Sequence, residues 1–458
     1  MNDWLKAVAI FPGYLIVAPA LGWWLARQRT WERAALCLLV FMPSWFPSKI
    51  TLMLDSIEWY RGHTKGFEAS LIEIVALALI VASAVRRDRD YRWLPPGAWL
   101  YLTYCALSCL SLLPAMNKVF TLMAVIKFTS AALIFIGAFQ AFRDATDLRC
   151  LLHTLAGSLL LQALVALKLR YLNGQWQVHG WFEHQNSLAM WSYVSALPLL
   201  AVAYAPTTAR RETLVYLTGV AAAALLILLT VSRASFAAFA IGASAVVLLA
   251  MAHGVSMKLI SITSFGLVAA TAAGLLAMDA LRARFRESAT PDGELDLRAV
   301  LILQSKQMLH DHPLGVGWNN YGLANSLPAG QYVQIMMDWD QSRGFTIYED
   351  NYFANPLPES LYWLTLAETG YGGYAGFVAF LALTLWWAWR NTFAFWRSST
   401  GWFVGGLLVA FSLLYFHGTV ERVLTQTKNL AMWLILAGCL ARIELCRRAG
   451  GDLPEVQP

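Results

Sequence analysis

This sequence is short of charge. Asp, Glu, Lys and Arg make up 14% of its 458 residues, against 58% hydrophobic residues. That imbalance exceeds what a soluble globular domain of any size needs to fill its core, so a soluble fold is excluded and a bilayer is the simpler solvent. Metal-type cysteine spacing is also missing. Cys37, Cys105, Cys109, Cys150, Cys439 and Cys446 all fall in or beside apolar runs, and none stands at ligand spacing from a histidine. They read as buried small hydrophobes, which argues against a disulfide framework and against a zinc site. There is no internal repeat at any period, and no matching pair of broken helices in two halves of the chain, which weakens a transporter reading. No small-residue cleavage pattern follows the opening Met-Asn-Asp-Trp-Leu-Lys, so the first apolar stretch is expected to be a retained helix.

Long apolar runs, by contrast, are plentiful. A helix needs about 20 apolar residues to cross the hydrocarbon, and such runs recur at 7–26, 33–54, 67–85, 96–115, 119–141, 149–170, 187–205, 213–231, 235–254, 258–279, 361–389, 400–418 and 426–445. The expectation is an all-α polytopic membrane protein of about 12–13 transmembrane helices. Ten of them fall within residues 1–279, and three within 361–446. A large extracytoplasmic loop with amphipathic helices spans 280–358, and residues 447–458 form a cytoplasmic tail. The 20 Trp and 17 Tyr suit membrane interfaces. Pro43 and Pro47 interrupt the second run and could make it a broken or re-entrant element.

Orientation follows from alternate connections. One set carries Arg27, Arg29 and Arg33, then Arg86, Arg87, Arg89 and Arg92, then Arg143 and Arg149. Arg210 and Arg211, Lys258, Arg390 and Arg397, and finally Arg442, Arg447 and Arg448 continue the series. Cations are retained on the cytoplasmic side, so this set is placed there. The net charge of +6 therefore points to membrane lipids and not to nucleic acid.

Ionisable groups at membrane depth cost about 2.5–3.5 kcal/mol or more unless paired or wet. Arg233 joins two apolar runs with almost no loop between them, where a tight turn would use Gly, Asn or Pro. It suggests an anion site at the outer face, with a snorkelling anchor as the other reading. Lys127 and Glu73 could form a structural ion pair. Glu368 could be a buried partner at a helix terminus or part of a site. Residues 178–187, Val-His-Gly-Trp-Phe-Glu-His-Gln-Asn-Ser, alternate aromatics with hydrogen-bonding groups. Trp181 beside His184 and Asn186 suits a sugar ring, whose faces stack while its hydroxyls bond; an interfacial belt would use the same aromatics. Residues 295–310 read as an amphipathic helix carrying Arg298 and Lys306. A glycine-punctuated turn rich in amides follows, with His312, Trp318 and Asn319. Its Gly-Val-Gly is no dinucleotide fingerprint, because no strand precedes it. The loop closes on Asn-Pro-Leu-Pro-Glu-Ser, which brings Glu359 to the mouth of the next helix.

Three of these elements together resemble the superfamily of O-antigen ligases and Wzy-type polysaccharide polymerases, over most of the chain from residue 178 onward. Gly-Trp-Phe-Glu-His-Gln-Asn-Ser-Leu-Ala at 180–189 is similar to the family's pattern before a helix. Thr-Val-Ser-Arg-Ala-Ser-Phe at 230–236 resembles its Ser-Arg signature. In the large loop, an Arg-containing helix leads to His-Pro-Leu-Gly-Val-Gly-Trp. Glu359 and Ser360 are then followed by nine residues and Gly370-Tyr-Gly-Gly373, which matches the ligase pattern except that Glu359 stands where the family has histidine. The polymerase signature of Arg, ten residues and Gly is not evident.

The resemblance implies a C-type glycosyltransferase fold in a bacterial inner membrane with its site facing the periplasm. It implies a donor glycan on undecaprenyl diphosphate, no metal or other cofactor, and an acceptor that is another glycan or a lipid A core. The chemistry would be displacement at an anomeric carbon, with Arg233 and Arg298 on the diphosphate and Glu359 as base. Trp181, His184, Asn186, His312, Trp318, Asn319 and Glu368 would line the substrate. A repeat-unit polymerase is slightly favoured over a ligase, lipid A core or protein being the ligase acceptors. A glycolipid flippase or exporter is the rival from another class.

Overall fold

A computed structural model describes residues 8, 10–45, 51–57, 60, 62–86, 91–287, 294–326, 330, 332–342 and 357–454. The first seven residues, Pro47, Arg87, Arg89, and the 343–356 part of the large loop with its Asn355-Pro356 lie outside the described residues.

The protein is an all-α polytopic membrane protein. Its helices in chain order are α1 (Ile10–Leu25), α2 (Arg29–Trp45), α3 (Leu71–Arg86), α4 (Ala98–Leu112), α5 (Lys118–Ala141), α6 (Ala145–Leu172), α7 (Gln185–Tyr204), α8 (Arg210–Thr230) and α9 (Arg233–His253). They continue with α10 (Met257–Glu287), α11 (Glu294–Asp311), the single turn α12 (Tyr321–Ala324), α13 (Val333–Ser342), α14 (Leu361–Ala394), α15 (Ser399–His417) and α16 (Thr427–Arg448). Among the described residues eight helices are long and apolar enough to cross a membrane: α5 to α9 and α14 to α16. Shorter apolar helices lie at Ile10–Leu25, Ala98–Leu112 and Met257–Ala269.

Each of the thirteen apolar runs overlaps a helix among the described residues, with three boundary corrections. The run at 33–54 is not one span. Its helix is described over Arg29–Trp45, and Thr51–Leu54 instead forms a strand, β1, antiparallel to β2 (Phe67–Ser70). The run at 67–85 therefore begins as that strand and becomes helical only at Leu71. The tenth run continues as helix to Glu287, eight residues into the segment assigned to the loop.

Helix α7 is the hub. Every residue from Ser187 to Tyr204 is buried, as expected of a helix apolar on all sides and enclosed by others. It packs closely because Gly242 of α9 sits against Leu197, and Gly406 of α15 against Pro198. Gly242 also touches Leu413 of α15, so α9 runs parallel to α7 and antiparallel to α15. The N-termini of α7, α9 and α16 and the C-terminus of α15 thus share one end of the bundle. Residues 418–426, the loop helices α11 to α13 and the 178–184 connection lie at this end.

The opposite end is closed by charge. Glu32, fully buried, is approached by Arg29 at 2.8 Å, Arg86 at 2.7 Å and Arg143 at 3.2 Å. Arg33 meets Asp144 at 2.8 Å and Asp147 at 3.0 Å, and Arg29 also pairs with Asp147. Asp144 and Asp147 double as the capping box that starts α6.

The large loop is anchored by two glycines. Gly370 breaks α14 with φ of 65°, and Gly315 of the loop has φ of 87°. A Cβ on Gly315 would strike the Glu368 carbonyl, and one on Gly370 would strike the backbone of Leu314. The kink frees helical carbonyls that the loop then satisfies: Val316 N–H donates to Ala367 O at 2.9 Å and Gly317 N–H to Glu368 O at 3.2 Å. In return, Tyr371 N–H reaches Pro313 O at 3.2 Å.

Candidate functional site

Arg298 of α11 and Glu359, 61 residues later in the chain, form a direct ion pair at the loop end of the bundle. Both guanidinium contacts land on one carboxylate oxygen, Oε2, and both side chains keep partial solvent access, 28% and 39%. Leu361 N–H donates to Gly418 O at 2.8 Å, which ties the mouth of α14 to the 418–426 loop. That loop carries Glu421 and Arg422.

The Asn186 amide donates to Glu421 Oε1, while Oε2 has no partner among the described residues. Burial first, and the neighbouring Glu359 carboxylate second, push the Glu421 carboxyl up to about 7, against the opposing pull of Arg298, the Asn186 hydrogen bond and Arg422. The Arg422 guanidinium has no hydrogen bond or ion pair among the described residues. Burial lowers its pKa, and the carboxylates of Glu421, Glu359, Glu368 and Glu183 counter that effect. His417, 3% exposed, shares a hydrogen bond with the Tyr193 hydroxyl through Nδ1 at 3.1 Å. Its buried Nε2 has no partner, and Arg298 lies within its electrostatic reach. One mouth therefore gathers Arg298, Glu359, His417, Glu421, Arg422 and Asn186 from four separate stretches of chain.

The aromatic connection frames this mouth. His184 caps α7, its Nδ1 accepting from Asn186 N–H at 3.2 Å, which requires that nitrogen to be unprotonated. Burial, then Arg422 and His179, lower its pKa. Trp181 is held through its carbonyl by the Lys428 amine, and the same amine lies 5.2 Å over the Phe182 ring. Val178 N–H donates to Leu229 O at 3.3 Å, which docks the connection on the α8–α9 hairpin. Arg233 opens α9, half-buried, at this same end.

Three of the expected substrate contacts are engaged within the protein, and a fourth lies farther along the chain from Arg298. Glu368 is fully buried, and its carboxylate accepts from Asn319 N–H at 3.0 Å and Tyr321 N–H at 3.1 Å and meets His63 Nε2 at 2.5 Å. Asn319 is equally buried and clasps the 63–64 backbone, its Oδ1 accepting from His63 N–H at 2.6 Å. Trp318 stacks on Phe128 at 4.5 Å between ring centres. These three clamp the loop to the bundle, and Trp318 also lines a small cavity with His63, Thr365 and Leu424. His312 follows the last turn of α11, fourteen residues beyond Arg298, which is roughly 20 Å along a helix. Lys127 pairs with Glu68 at 3.2 Å and donates to His63 O at 2.6 Å, not to Glu73. Glu73 instead accepts from Ser130 at 2.6 Å and from Tyr14. The two carboxylates lie five residues apart across the β2–α3 junction, so spacing alone could not choose between them.

Glu421, Arg422, His417 and Lys428 were not singled out from the sequence. The available signal was an adjacent Glu-Arg in the outer connection at 419–425, where charge is otherwise scarce. All six cysteines are free thiols. Among the described residues no three of His, Cys, Asp and Glu are disposed to hold a metal ion. No protein-family model matches the chain, and neither does any curated protein sequence.

Proposed function

We propose that the loop end of the bundle is the site of a membrane glycosyltransferase of the C-type class, related to O-antigen ligases and Wzy-type polymerases. It transfers a glycan from undecaprenyl diphosphate to an acceptor sugar hydroxyl at the periplasmic face of a bacterial inner membrane, without a metal. The observation that carries this reading is the meeting of Arg298 and Glu359 at one mouth with Arg422 and Glu421.

As the acceptor oxygen bonds to the anomeric carbon, the bond to the phosphate oxygen breaks, and its electron pair leaves with the lipid diphosphate. That growing negative charge calls for fixed cations in a water-poor site. Arg298 and Arg233 supply guanidinium forks that match phosphate oxygens at two points. The ring of Trp181, with His184 and Asn186 beside it, offers a stacking face and hydrogen-bonding groups for the sugar. Repeat-unit polymerisation is favoured slightly over ligation to a lipid A core or a protein, because the ligase-type histidine is replaced by Glu359.

The test is reconstitution with a defined undecaprenyl-diphosphate oligosaccharide, with and without a lipid A core acceptor. New glycosidic bonds are expected, and a ladder of repeats marks a polymerase while a single transfer marks a ligase. Movement of the lipid across the bilayer with no new bond would replace this reading with a flippase.

A further inference from the structure

Two carboxylates face the mouth, and they are held in different ways. Glu359 receives both contacts of the Arg298 guanidinium. A proton taken by Glu359 would break that ion pair at the moment the leaving diphosphate needs Arg298 fixed. Glu421 has no ion pair among the described residues. Among the described residues it is oriented by one neutral donor, the Asn186 amide, with Oε2 open to a ligand hydroxyl. The charged neighbours of Glu421 are Glu359 from the segment before α14, Arg298 from α11, and Arg422 beside it in the same loop. Glu183 and His184 face Arg422 in turn, His417 of α15 faces Arg298, and the Lys428 amine is engaged by the Trp181 carbonyl.

We propose that Glu421, and not Glu359, accepts the proton of the attacking hydroxyl, and that Glu359 is a positioning residue that aims Arg298. The inference rests on the glycan-transfer reading. The hydroxyl proton passes to Glu421 Oε2 as the new oxygen–carbon bond forms. The electron pair of the broken bond stays on the diphosphate, beside Arg298 and Arg422, the latter without an ion pair among the described residues. A base works best when its affinity for the proton matches the working pH, and burial together with Glu359 brings Glu421 to about 7. Glu359 thus acts twice: it aims the cation, and its charge sustains the basicity of Glu421.

The test is the pH profile of single-turnover transfer by the reconstituted full chain in four forms: wild type, Glu421→Gln, Glu421→Asp and Glu359→Gln. Wild-type transfer rises with pH through about 7, as the carboxylate form of Glu421 appears. Glu421→Gln falls on the order of 10²-fold and loses that rise. Glu421→Asp keeps a rise at a displaced pH, which also answers whether loss in the Gln variant is a folding defect. Glu359→Gln is slower but keeps a rise, moved to lower pH because a neighbouring negative charge is gone. A rise that survives in Glu421→Gln and vanishes in Glu359→Gln overturns the assignment while leaving glycan transfer intact. A wild-type protein that moves no sugar at any pH overturns both.

Discussion

The two ends of the bundle handle charge in opposite ways. At the end carrying Arg29, Arg33, Arg86 and Arg143, the carboxylates of Glu32, Asp144 and Asp147 link the arginines into one network. At the other end Arg298 meets Glu359, but Arg422 has no partner among the described residues and Glu421 keeps an open oxygen. A buried ion-pair network is a device for closing helix ends, because removing one partner strands the others. Half-buried charges left apart are costly and persist where a ligand completes them. On the proposed function, the difference separates a structural end from a chemical one.

Four substitutions break or sharpen that contrast. Asp147→Ala strands Arg29 and Arg33 and is expected to destabilise the fold by about 3 kcal/mol, the low end for a broken buried pair because both arginines keep some solvent. Thermal unfolding in detergent reads this loss, and transfer per folded molecule should not change. Arg298→Lys is the converse. It keeps the charge, loses the fork, and is expected to slow transfer by about 10²-fold, about 2.7 kcal/mol, with an unchanged melting temperature. An equal melting loss in both variants would erase the distinction between the ends.

Glu368→Gln tests the clamp between them. Its carboxylate holds two loop N–H groups and His63, so about 2 kcal/mol of local stability should go. Faster amide exchange of Asn319 and Tyr321 is the signature, and unchanged exchange would make the clamp ornamental. Asn186→Ala has the smallest effect, about 1 kcal/mol. Its hydrogen bond lowers the Glu421 pKa, so its loss moves the rise of transfer with pH to higher pH. A shift to lower pH would show that Asn186 does not act through Glu421.

The spans were legible because each is a local property of about twenty consecutive residues. The run at 33–54 misled because apolar content does not distinguish a helix from a strand where proline intervenes. Motif spacing led to Arg298 and Glu359, and the structure joins them across 61 residues. The link between Asn186 and Glu421 crosses 235 residues, and no periodicity or short motif reports a contact at that range. Glu368 drew attention as an ionisable group at membrane depth and Asn319 as an amide in a glycine-punctuated turn, and either is equally the mark of a buried clamp. Separating the two roles required knowing that their hydrogen bonds are spent on the Asn319 and Tyr321 backbone and on residues 63–64.

The most direct test of a chemical end opposite a structural end is sidedness. Protein reconstituted in one known orientation, with lipid-linked oligosaccharide in both leaflets, is given a membrane-impermeant acceptor sugar on one face at a time. Glycosidic bond formation is expected only with acceptor on the face that exposes the 418–426 loop, with loss of that product in Arg298→Lys. Transfer from the face of the Arg29, Arg33 and Arg143 network, or product unaffected by Arg298→Lys, would contradict it.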